Sequence, residues 1–334
     1  MNDLVVQARG LTKRFKTRGA TVDAVRGVDF VVRRGAILGF LGPNGAGKTT
    51  TQRMLTTLLP IDAGTATVAG FDVAAQPREV RRRIGYVSQL GGADDLASGR
   101  ENLMLQGRLY GLTKADATTA VDGLLDVLDL RPFADRRVKT YSGGQRRRLD
   151  IALGLVHGPD VLFLDEPSTG LDPQNRANLW DRVQGLRDAG TTVFLTTHYL
   201  DEADTLCDRV MIMDHGRIVA DGTPAELKRQ AAGDSVEITV GGEADPGSRA
   251  ATVLRSAPLV REVRADGARL RLYVEDGPAA LPSIFRLLDA ERITVRNASL
   301  SEPTLDDVFL ARTGRSLRDA GTGAGPIQGE VPAA

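Results

Sequence analysis

The run Gly42, Pro43, Asn44, Gly45, Ala46, Gly47, Lys48, Thr49 and Thr50 mixes glycines, a lysine and threonines in an order that suits phosphate chemistry. Glycines let backbone N–H groups wrap phosphate oxygens, and a following helix adds the positive potential of its N-terminus. In that pattern Lys48 bridges the β- and γ-phosphates and Thr49 ligates Mg²⁺. A second cluster, Val161-Leu162-Phe163-Leu164-Asp165-Glu166, is an apolar run ending in two carboxylates. At the C-terminal end of a parallel strand such groups lie on the sheet edge where ligands bind. Asp165 then shares the metal with Thr49, while Glu166 polarises an attacking water, a role worth about 10²–10⁴ in rate. His198 follows the run Thr192–Leu195 through Thr196 and Thr197, where it can donate to the γ-phosphate. Gln89 ends Ile84–Val87, and an amide there can touch both metal and water. Further on, Tyr141-Ser142-Gly143-Gly144-Gln145 opens a helix with a serine and two glycines, a second turn able to hold an anion. One chain thus carries two phosphate-binding turns.

Those residues need a sheet to hold them. Up to about residue 230 short apolar runs alternate with amphipathic segments, the pattern of a mainly parallel α/β sheet. Strands are expected at Ile37–Leu41, Ile84–Val87, Val161–Leu164, Thr192–Leu195 and Val210–Met213. Asp172-Pro173 gives an N-cap and N1 proline for a helix that Gly190 closes, and Thr223 to Glu226 repeats a helix start. Between Leu96 and Thr140 strand signals stop. Ser98 to Glu101 is a capping box and Lys114–Leu128 has helical periodicity, which makes residues 90–145 an inserted helical subdomain.

From Gly233 the pattern changes to strand Val236–Val240, helix Gly247–Ala257, a hairpin of Val260–Val263 and Leu270–Val274 across Asp266-Gly267, helix Ala279–Ala290 and strand Ile293–Val295. This β-α-β-β-α-β order predicts a small α+β ferredoxin-like domain, followed by a capped helix in PTLDDVFLARTG. The division expected is 1–232, 233–313 and a disordered tail, 314–334.

Composition narrows the function. Lys plus Arg and Asp plus Glu both number 43, so no overall field draws the chain to nucleic acid. Arg81–Arg83 and Arg146–Arg148 read as solvated faces, and His157 and His215 as turn or solvent residues. The single cysteine, Cys207, excludes an internal disulfide, fits a reducing compartment and reads as a packing residue. No apolar run approaches the roughly 20 residues that span a bilayer, and the N-terminus lacks a signal peptide. A cytosolic chain is expected.

Together these residues resemble the ATP-binding cassette ATPases over about residues 4–230. GPNGAGKTT is similar to their Walker A motif, Gln89 to the Q-loop, YSGGQ to the signature and VLFLDE to Walker B. Ser168-Thr169-Gly170-Leu171-Asp172 is similar to the D-loop and His198 to the switch histidine. Tyr141 replaces the commoner leucine of the signature, and Phe15 stands where a tyrosine usually stacks on adenine. The resemblance implies an α/β phosphate-loop ATPase that uses ATP and Mg²⁺. It further implies that two copies meet head to tail, so that Ser142, Gly143, Gly144 and Gln145 of one cover the γ-phosphate held by the other. That would answer why the chain has two such turns. SEPTLDDVFLARTGR, YSGGQRRRLDIA and LTTHYLDEAD resemble the daunorubicin-resistance type of drug-export ATPase. This implies an energy-coupling subunit on the cytoplasmic face of the membrane, working on a separate integral-membrane permease. The alternatives are export of a lipid or polysaccharide, or a soluble cassette ATPase without transport.

Overall fold

Two long antiparallel strands open the computed structural model, β1 (Leu4–Thr17) and β2 (Ala20–Arg33). The structure describes residues 3–17, 20–231, 234–241, 245–301 and 303–317. On β2, Val28, Phe30 and Val32 point inward while Val31 faces out, the alternation of a sheet with one dry face. Next come β3 (Ile37–Leu41), α1 (Lys48–Leu55), β4 (Ala63–Val68) and β5 (Phe71–Asp72). Strands β2-β1-β4-β5 form an antiparallel sheet in that order. None of its strands is among those expected from the sequence.

The chain continues through α2 (Pro77–Arg83), β6 (Ile84–Val87), α3 (Gly99–Leu109), α4 (Lys114–Val127) and α5 (Gly143–Leu155). Then follow β7 (Val161–Asp165), α6 (Pro173–Asp188), β8 (Thr192–Thr197), α7 (Leu200–Leu206), β9 (Arg209–Asp214) and β10 (Arg217–Gly222). The six-stranded sheet runs β10-β9-β3-β8-β7-β6, parallel throughout except for the edge strand β10. Every residue of β3, β7 and β8 is buried, as strands covered on both faces must be. Phe40 and Phe194 of this sheet pack with ring centroids 4.8 Å apart, and Phe30 of β2 lies 5.0 Å from Phe40. This aromatic contact joins the two sheets into one core. The expected helices α3 and α4 fall between β6 and β7, and Ser98 and Glu101 make the capping box at the start of α3. Cys207 is buried beside Gly39, whose added Cβ would strike its sulfur, and burial pushes the thiol pKa well up. It is a packing residue.

The remaining elements are α8 (Pro224–Ala231), β11 (Ser235–Gly241), α9 (Pro246–Arg255), β12 (Val260–Asp266), β13 (Arg269–Val274), α10 (Gly277–Ala290), β14 (Thr294–Ser301) and α11 (Leu305–Thr313). Their sheet is antiparallel in the order β12-β13-β11-β14, and Val236, Ile238, Leu270, Leu272, Ile284 and Leu288 fill its core. The PTLDDVF stretch has a structural reason. Thr304 and Asp307 form the capping box of α11, and buried Asp307 also accepts from Tyr273 Oη at 2.6 Å. Burial and the Asp307 carboxylate push the Tyr273 phenol up to about 12.

Contacts divide the chain before α8, with one unit running to Thr223 and including Leu317, and the other Pro224–Ser316. The boundary therefore lies earlier than the expected residue 232, because α8 packs on α11. The tail reading is also corrected at its start. Gly314 closes α11 with φ 76° and Leu317 is buried, while residues 318–334 lie outside the described residues. A chain ending at Thr223 should fold alone, since its apolar cluster is drawn from residues 5–218. Circular dichroism with a cooperative thermal transition is the expected result; an unfolded product would show that the first unit depends on the second.

Candidate active site

The loop between β3 and α1 owes its shape to its glycines. Gly45 and Gly47 have φ of 80° and 103°, where a side chain is strained. A Cβ on Gly42 would run into the Met213 carbonyl, and one on Gly47 into that of Ala24. Lys48 heads α1, is 4% exposed, and donates to the carbonyls of Gly42 (2.7 Å) and Pro43 (3.1 Å). Burial lowers its pKa, opposed by the charges of Glu166 and Asp165. Glu166 Oε1 lies 4.0 Å from its Nζ.

Adjacent strand ends bring the carboxylates to this loop. Asp165, the last residue of β7, pairs with Thr196 of β8 and accepts from Thr196 Oγ1 at 2.7 Å. The same Oδ1 accepts from Thr49 Oγ1 at 2.9 Å. Glu166 leaves the strand in the left-handed region, φ 47°, with its N–H held by the Thr196 carbonyl (3.1 Å) and hydroxyl (3.2 Å). For a non-glycine residue that conformation is costly and persists only where its surroundings enforce it. It aims the carboxylate among three other predicted or neighbouring groups. Gln89 Nε2 donates to Oε2 at 3.4 Å, Thr169 Oγ1 donates to Oε2 at 3.2 Å, and His198 Nδ1 lies 3.3 Å from Oε1, poorly aligned for a hydrogen bond. Burial pushes the Glu166 pKa up, but the His198 ring, Lys48 and the Thr169 hydroxyl outweigh it, so the carboxyl sits below its ordinary range. Lys48, Thr49, Gln89, Asp165, Glu166 and His198 thus form one cluster.

The second turn stays outside it. Ser142 caps α5, accepting from Gln145 N at 3.3 Å while Gln145 Oε1 accepts from Ser142 N at 3.0 Å. Ser142 and Gly143 are exposed. Among the described residues no hydrogen bond or ion pair joins this turn to the phosphate loop, and none engages the N–H groups of Gly143 or Gly144. Gly144 must be glycine, because a Cβ there would strike the Asn175 amide. Tyr141 donates to the Phe133 carbonyl at 2.7 Å, which anchors the turn in the helical subdomain. Phe15 is 36% exposed on β1, with Lys13 Nζ 5.7 Å above its ring.

Arg147 and His157 both lie deeper than their polarity suggests. Arg147 is not a solvated-face residue: it is buried and donates to the carbonyls of Ser88 (2.7 Å), Asp165 (3.0 Å) and Pro167 (2.8 Å). Its place was visible in helical spacing, since Ile151 and Leu155, at i+4 and i+8, share the buried side of α5. His157 sits in its expected turn but is no solvent residue; it stacks on Tyr110 at 3.7 Å and hydrogen-bonds the Ile84 carbonyl.

Such an arrangement can bind a nucleoside triphosphate and direct water at its terminal phosphate. Residues 25–169 match the family described as ABC transporter, and residues 222–313 the one described as ATP-binding protein DrrA1-3-like, C-terminal domain. The daunorubicin/doxorubicin resistance ATP-binding protein DrrA of Streptomyces peucetius is 46% identical over 95% of this chain and 94% of its own. The Nod factor export ATP-binding protein I of Ralstonia nicotianae is 41% identical over 94% of this chain and 95% of its own. Among solved structures, cbiO1 of Clostridium perfringens, described as part of the ABC transporter complex cbiONQ, superposes with a TM-score of 0.62 at 25% identity. That match covers 69% of this chain and 92% of the other. With a glycine-rich loop, Lys48, paired carboxylates and His198 gathered on one sheet edge, and relatives alike over nearly their whole length, the chain belongs to the ABC transporter family as one of its ATP-hydrolysing subunits.

Proposed function

We propose that two copies of this chain enclose ATP between them and drive a separate integral-membrane permease, from its cytoplasmic face, to export a drug-like antibiotic. One observation carries the shared site: the turn exposes Ser142 and Gly143, keeps the Gly143 and Gly144 N–H groups unengaged among the described residues and has no bond to its own phosphate loop. Helix N-termini of this kind hold phosphate. The Ser142 hydroxyl still has its proton to donate while it accepts from Gln145.

In each pocket the loop from Gly42 to Thr50 binds the triphosphate, Lys48 contacts the β- and γ-phosphates, and Phe15 offers a face for the base. Thr49, Asp165 and Gln89 supply hydroxyl, carboxylate and amide oxygens, the hard donor set that suits Mg²⁺. Thr49 and Asp165 already share a 2.9 Å hydrogen bond. A Mg²⁺ held there would supply charge neutralisation to the triphosphate. Glu166 accepts the proton of the attacking water, Gln89 orients that water, and His198 donates to the γ-phosphate. Ser142, Gly143 and Gly144 of the second copy hold the developing charge. No nucleic acid enters this scheme.

The likeness to resistance ATP-binding proteins supports a drug cargo, and the Nod factor export relative supports keeping a second reading in which the cargo is not a drug, such as a lipid or polysaccharide. Reconstitution with a candidate integral-membrane permease separates them. ATP should drive daunorubicin into inside-out vesicles, and Lys48→Ala should abolish the uptake. Vesicles that hydrolyse ATP yet move no anthracycline would overturn the drug reading and leave the ATPase class standing.

A further inference from the structure

Glu202, in the first turn of α7, is the most deeply buried carboxylate among the described residues, with no exposed surface. Its Oε1 accepts from Trp180 Nε1 of α6 at 3.2 Å. Its Oε2, together with Ser168 Oγ and Arg176 Nε, is buried without a hydrogen-bond partner. Burial pushes the carboxyl pKa up, against the Thr197 and Ser168 hydroxyls, the Trp180 indole and the Arg176 charge, which all act on it. Unpaired buried polar groups are costly and each needs a reason.

The neighbours supply one. Ser168 starts the Ser168–Asp172 segment that leads into α6, and Thr197 immediately precedes His198. Arg176, next to Trp180 on α6, stacks over Tyr199 at 4.2 Å. One carboxyl therefore sits where the segment after Glu166 and the switch segment converge. Neither touches the phosphate loop through it.

We infer that Glu202 is a positioning residue, which is held by Trp180, faces the Ser168 and Thr197 hydroxyls and so sets the Ser168–Asp172 segment and His198 in mutual register for hydrolysis. The unpaired Ser168 and Glu202 oxygens are the joint that closes when the register is reached, and making that bond rewards the catalytic arrangement over others. The inference rests on the composite site proposed above.

Trp180 is the only tryptophan of the chain, so its emission reports this junction alone. The full-length protein is assayed as wild type, Glu202→Ala, Glu202→Gln, Trp180→Phe and Glu166→Gln. Glu202→Ala should lower kcat by about ten- to a hundred-fold, the scale of a small misplacement, with KM for ATP within about two-fold. Glu202→Gln should stay within about three-fold of wild type, because an amide still accepts from Trp180 and can donate to the hydroxyls. Trp180→Phe keeps the packing and loses only the N–H; a several-fold loss in kcat at constant KM is expected, and it serves if Glu202→Ala does not fold. ATP should shift the Trp180 emission of Glu166→Gln but not of the Glu166→Gln, Glu202→Ala double variant. Wild-type kcat in Glu202→Ala overturns the inference, as does Glu202→Gln failing equally, or KM rising in step with the loss. If Glu166→Gln itself turned over normally, the composite site would be the reading that failed.

Discussion

Glu166→Gln protein should bind ATP as the wild type does and hydrolyse it about 10² or more times slowly. Glutamine keeps the size of the side chain and its contacts with Gln89 and Thr169, so the pocket's shape survives. It cannot take a proton from water. Binding is spared because Lys48, which meets the phosphates in the proposed site, is held by the Gly42 and Pro43 carbonyls and only faces Glu166 across 4.0 Å. Losing a negative charge there removes a repulsion to the γ-phosphate, so affinity should not fall. The pH dependence has a sign as well. Despite burial, Glu166 is held below the ordinary glutamate value of about 4.3, so its base form persists through neutrality and is lost only as pH drops through that lowered value. Phosphate release and equilibrium ATP binding, measured on one preparation, check this. Undiminished turnover would place the base elsewhere.

Ser142→Arg should lose about 10²–10³ in turnover, the scale of a missing oxyanion donor, while the monomer's ATP affinity stays near wild type. The two effects separate because Ser142 is exposed and makes no bond to its own phosphate loop. The arginine also removes the capping box, which costs about 1 kcal/mol of helix stability, so thermal unfolding has to accompany the assay. In the Glu166→Gln background ATP should produce dimers by light scattering, because the nucleotide supplies the charge that both copies bind. Adding Ser142→Arg should abolish them. Loss of ATP affinity on the scale of Lys48→Ala would instead put the turn in its own pocket.

The residues around the phosphate loop were legible because each strand there is a continuous buried apolar run ending in polar groups, as in Val161–Asp165 and Thr192–Thr197. Such runs name the strand and its functional end together. Strands β1 and β2 were not legible for the opposite reason. They carry Lys13, Arg14, Lys16, Arg26 and Asp29, and register shifts at several points in their ladder break the period of two. Tertiary pairing and the Phe30 contact hold them in place. Glu202 and Arg147 escaped notice because charge reads as surface in composition. Their helical spacing to buried neighbours, Leu206 and Ile151, was the better guide.

Arg147 has one more consequence. It stands one turn along α5 from the cap that exposes Ser142 and Gly143, yet its guanidinium grips the Ser88, Asp165 and Pro167 carbonyls beside Gln89 and Glu166. The Ser142–Gly144 turn and the carbonyls beside the Glu166 pocket are thus fixed to one helix. In the proposed dimer, a nucleotide settling in one pocket shifts the cap closing the other, and by reciprocity the second nucleotide acts back on the first with equal coupling energy. Cooperativity between the two ATP sites is then built into a single helix.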